Sequence, residues 1–157
     1  MPCLARRRTA RRLLGGLTAL WLALLTGCTA RPRILVADST RLTATDAESL
    51  AAQHPLGPTE NIKSVPIART AAFSTHFVQI RNRESPHAHV THDLVVALLR
   101  GSGSMYVRGL PTSVRPGDVV VVPRGTPHYF VNTGDEPAAA FVTFAPPFDG
   151  TDQVPAE

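Results

Sequence analysis

Cysteine is almost absent: the chain has only Cys3 and Cys28. Both precede the strand-patterned part, so no disulfide can brace the body of the protein. Long apolar runs are absent too. The longest, Leu13–Leu25, falls short of the roughly 20 residues that a bilayer-spanning helix needs. An excess of positive charge is missing from the body. The formal +4 includes five arginines among the first twelve residues, and beyond Cys28 eleven basic residues face twelve acidic ones, about −1 with neutral histidines. That balance argues against nucleic acid as a partner. After Gln53 there is no long helical period, and the chain has neither an internal repeat nor a low-complexity tract.

What is present begins with an export signal. Arg6, Arg7, Arg8, Arg11 and Arg12 precede the apolar run Leu13–Leu25, and small residues follow it. The ending Leu25-Thr26-Gly27-Cys28 resembles the lipobox of bacterial lipoproteins. The resemblance implies cleavage before Cys28, a lipid on its sulfur and acylation of the new N-terminus, and several acyl chains anchor stably. The expected location is the cell envelope, outside the cytoplasm. Thr29 in place of an aspartate resembles the signal for the outer of two membranes. The arginine pair also resembles a twin-arginine signal.

The expected organisation has four parts. Residues 1–27 are the signal. Residues 28–60 are a partly disordered tether with an end-to-end reach of roughly 30 Å. "TDAESLAAQ", Thr45–Gln53, could make a short helix there, capped by Asp46. Residues 61–150 are the folded domain, and 151–157 a tail. From Phe73 short strands recur, punctuated by Gly and Pro: "FSTHFVQIR", "DLVVALL", "SMYVRG", "GDVVVVP", "HYFVN" and "AAAFVTFA". That rhythm predicts an all-β sandwich or barrel.

The chemistry concentrates in "SPHAHVTHD", Ser85–Asp93, which holds three of the six histidines. His87 and His89 are two apart, so a strand aims both at one face. Other polar residues read as structural. His76 is expected in the core or at its rim, Glu84 at the barrel mouth or outside it, and Asp149 and Asp152 in solvent.

"GDVVVVPRGTPHYFVN" contains Gly117, Pro123, Gly125, His128 and Asn132 at the spacing of the second motif of the cupin family. "HAHVTHDLVVALLRG" resembles the first motif, with His87, His89 and Gly101 in place. The resemblance implies a double-stranded β-helix, or jelly roll, holding one metal ion. His87, His89 and His128 would be ligands, and the glycines, Pro123 and Asn132 structural. The motif's glutamate is missing. Asp93 ranks first as fourth ligand, His92 second and water third, because adjacent residues on a regular strand cannot both point inward.

The expected cofactor is one divalent transition metal: Zn, Mn, Fe, Ni or Cu. No thiolate is available to favour Cu(I). The expected function is an envelope-anchored metal-binding module with a small-molecule ligand. A metal-dependent oxygenase or isomerase and a non-catalytic interaction barrel are the alternatives. The membrane is a partner through Cys28, and a homodimer is compatible with this reading.

Overall fold

The computed structural model describes residues 32–156, so the expected export signal and Cys28 lie outside the described residues. The first elements are a hairpin, β1 (Arg33–Ala37) and β2 (Leu42–Asp46), and one helix, α1 (Ala47–Gln53). The remaining strands are β3 (Ile62–Arg69), β4 (Ser74–Ile80), β5 (His87–His89), β6 (Asp93–Arg100), β7 (Gly103–Val107), β8 (Leu110–Val114), β9 (Val119–Val122), β10 (His128–Asn132), β11 (Ala138–Ala145) and β12 (Gln153–Pro155). They form two five-stranded sheets in the orders β12-β5-β10-β7-β8 and β3-β4-β11-β6-β9. Every pairing is antiparallel. The all-β class is the one that the strand rhythm predicts, and the jelly-roll arrangement is the one that the cupin resemblance implies.

Period-2 alternation explains the core. Leu94 and Leu98 of β6, Met105 of β7, Phe130 of β10 and Val142 and Phe144 of β11 pack together between the sheets. Pro66 sits on β3, an edge strand with a register shift at that point. There its missing N–H breaks no interior ladder. Gly103 is fixed by close approach: an added Cβ would lie 2.2 Å from the Phe130 ring and 2.3 Å from the Val131 carbonyl oxygen.

The stretch expected to be a tether is ordered from Arg33 onward. Hairpin and helix pack on the outer face of the second sheet, where Ile34, Ala47 and Leu50 meet Phe77 and Ala139. Asp46 caps the helix by accepting from the Ser49 N–H at 2.8 Å. β4 is thereby buried on both faces: His76, Val78 and Ile80 alternate with the outward-facing Phe77 and Gln79. The expected tail is ordered as well. Gln153, Val154 and Pro155 pair with His89, Ala88 and His87, which makes β12 the neighbour of the histidine strand.

Candidate metal centre

β5 is only three residues long, and all three are buried. β12 flanks it on one side. On the other, His128, the first residue of β10, stands directly across from His87. The turn before β10 is tied in too. The Gly125 N–H donates to the His89 carbonyl at 2.7 Å, and this turn holds Gly125 at φ 71, a conformation that other residues adopt at a cost.

These constraints bring His87, His89 and His128 together. Their ring centroids are 5.2 Å (His87–His89), 4.5 Å (His87–His128) and 5.7 Å (His89–His128) apart. One nitrogen from each lies within 4.8 Å of the others.

Hydrogen bonds fix which nitrogen is free. His87 Nδ1 is 2.8 Å from the Ser85 carbonyl oxygen, and His128 Nδ1 is 2.9 Å from that of Thr126. His89 Nδ1 is 2.8 Å from Asp152 Oδ1. A carbonyl or carboxylate oxygen only accepts, so each Nδ1 carries the proton and donates. In the neutral ring that leaves the Nε2 lone pair for a metal. Burial pushes His128 down to about 4, against the Thr126 hydrogen bond that favours the charged ring. Burial also lowers His89, against its bond to Asp152. Both rings are thus kept in the ligating form at neutral pH. The donor set fits one divalent ion with three imidazole ligands.

Asp93, expected as the fourth ligand, is not brought to the cluster. Its oxygens accept from the Arg124 N–H at 2.9 Å and from Arg124 Nη2 at 2.7 Å, and its side chain is 45% exposed. β6 starts at Asp93 and pairs regularly from there to Leu98, so inward-facing Leu94 forces its neighbour outward.

His92 is buried, but its Nδ1 bonds Asp152 Oδ2. His89, His92 and Asp152 also have close donor atoms. Their mutual hydrogen bonds account for that closeness. His76 stays outside the triad, held between the hydroxyls of Ser64 and Ser74.

Two residues near the histidines overturn the sequence reading. Asp152, expected in solvent, is enclosed. It accepts from His89, His92, the Thr91 N–H and the Thr91 hydroxyl. Burial would raise its pKa, but the bonds from both histidines and Thr91 outweigh that and hold it well below the usual carboxylate range. Glu84, expected at the mouth or outside, lines the cavity between the sheets. Its Oε2 accepts from the Phe130 N–H at 2.8 Å. Burial raises the Glu84 carboxyl, against the nearby His87 and that N–H. Its position three residues before His87 was a visible signal. Asp152 gave none.

The cavity measures about 180 Å³. Its walls include Val78, Leu98, Met105, Val120 and Phe130, with the three histidines and Glu84 among its polar lining. Asp118 also reaches it, but its Oδ2 accepts from the Arg115 N–H.

Comparison with known proteins agrees with this geometry. Residues 77–144 match the family described as Cupin domain. An uncharacterised protein of Aquifex aeolicus (strain VF5) is 34% identical over 101 residues, covering 64% of this chain and 83% of the relative. KdgF from Halomonas sp. is similar in structure, with TM-score 0.56 and 25% identity over 62% of this chain and 91% of that one. A Klebsiella pneumoniae protein with a double-stranded β-helix domain shares the fold at TM-score 0.58 and 17% identity, over 68% and 94% of the two chains. The matched segment runs from β4 to β11 and contains all three converging histidines, and on this ground the chain belongs to the cupin family as a single cupin domain.

Proposed function

We propose that this protein is an envelope-anchored cupin that binds one divalent transition metal through Nε2 of His87, His89 and His128 and holds a small molecule beside it. One observation carries the reading: all three Nδ1 atoms are engaged by oxygen acceptors, so the free nitrogens belong to a convergent, buried set. Three protein ligands leave room for an exogenous one, as in catalytic rather than structural sites. A bound ion would supply Lewis-acid polarisation of a ligand oxygen. The residues do the rest. Asp152 and the two carbonyls orient the imidazoles, and the apolar walls exclude water and select a small, largely apolar ligand. Membrane attachment rests on the Leu25–Cys28 lipobox resemblance.

A second reading, a metal-dependent enzyme, is favoured by one observation. Glu84 places a carboxyl inside the same cavity, where a proton could be exchanged with a bound molecule.

Titration of the metal-stripped protein with Zn(II) and Mn(II) tests the site. His87→Ala, His89→Ala and His128→Ala should each weaken binding at least tenfold. Asp93→Ala, whose carboxylate is turned towards Arg124, should bind like the parent. Parental affinity in both His87→Ala and His128→Ala would leave the barrel as an interaction module without a metal.

A further inference from the structure

Glu84 belongs to neither sequence motif nor to the histidine triad, yet it faces the same cavity. Local backbone geometry explains how it gets there. The chain before β5 runs antiparallel to β10. Arg83 bridges Val131, the Glu84 N–H donates to the Phe130 carbonyl at 2.9 Å, and His87 pairs with His128. Four steps of chain on one side, from Arg83 to His87, thus face three on the other, from Val131 to His128, so the ladder carries an extra residue. The Phe130 N–H takes the Glu84 side chain as its acceptor, at 2.8 Å.

That bond uses Oε2. Oε1 makes no hydrogen bond among the described residues, and the part-buried side chain lines the largely apolar cavity. That leaves a carboxyl oxygen at the cavity wall able to accept from a ligand donor. Phe130, whose N–H holds Glu84, lies two residues beyond His128 on the same face of β10, and Glu84 lines the same cavity as the three histidines.

We propose that Glu84 Oε1 is a second anchoring point for the bound molecule. The ligand class is then a small compound with a metal-binding donor at one end and a hydroxyl or protonated amine at the other. The inference rests on the metal reading above, and it assigns the acceptor that decides which small molecules the centre holds.

The test compares 4-aminobutyrate with butyrate by calorimetry on the Zn(II)-loaded full-length protein. The two probes share the carboxylate, and only one carries a donor. The amine should bind at least tenfold more tightly, and Glu84→Gln should bring the ratio to about one. Glutamine keeps an oxygen for the Phe130 N–H, so Zn(II) affinity should stay within twofold of the parent. Equal binding of the two probes to the parent overturns the proposal, and that comparison needs no variant to fold. A preference that survives Glu84→Gln, or a large loss of Zn(II) affinity in Glu84→Gln, overturns it as well. Failure of the parent to bind Zn(II) at all would sink the metal reading first, a separate and earlier result.

Discussion

At the residue scale, the histidines that would hold a metal are also the groups that make the empty protein sensitive to acid. Burial takes the His128 pKa from 6.5 to about 4. Between those values the unfolded chain binds a proton that the native ring refuses, so stability falls as pH drops. Above about 6.5 both states are neutral and the penalty vanishes; across the full window it reaches about 3 kcal/mol for this residue. His89 shifts in the same direction. The midpoint of thermal unfolding of metal-free protein should therefore drop between pH 7 and pH 5, and His128→Gln should flatten that slope. A midpoint unchanged over this range in the parent would contradict the burial argument. The two candidate ligands of the first motif were legible because their spacing alone puts both on one face. The fourth position was not. Choosing between His92 and Asp93 depended on where β6 starts, and a one-residue shift exchanges inside for outside.

At the scale of elements, the misread parts are the short ones at either end. β1 (RILVA) and β2 (LTATD) have five residues each, and only Ile34 is fully buried among them. Strands so short, with a single buried side chain, show no clear alternation, because most of the apolar surface they pack on comes from β4 and β11. The same holds for α1, which has seven residues and would be marginal alone. The cap at Asp46 was readable, but not the surface that the helix covers. Leu50→Ala should thus cost about 2–5 kcal/mol, the range for emptying a buried leucine site. Denaturant unfolding measures it. Zn(II) affinity should hardly change, since Leu50 packs on the face of the sheet opposite the cavity. β12 escaped notice for a different reason. Its partner β5 and the histidines that Asp152 serves lie some sixty residues away along the chain, and no local pattern records a contact that distant.

At the scale of the molecule, the architecture was the most legible part. Alternating strands and regular Gly and Pro punctuation need only period and spacing to be read, and they give an all-β sandwich or barrel. The proposed lipid at Cys28 lies outside the described residues and needs its own check. Cys28→Ser should accumulate as uncleaved precursor, lose acyl mass by mass spectrometry and leave the membrane fraction; normal processing of that variant would end the lipoprotein reading. If the anchor is there, the ordered hairpin changes what it does. Four residues separate Cys28 from Arg33, and the five steps of chain between the two, fully extended, span at most about 18 Å. A loose leash would let the barrel sweep a hemisphere of solvent. A stub of that length instead holds it against the lipid headgroups, so the molecules that reach its cavity are drawn from the thin layer of fluid at the membrane surface.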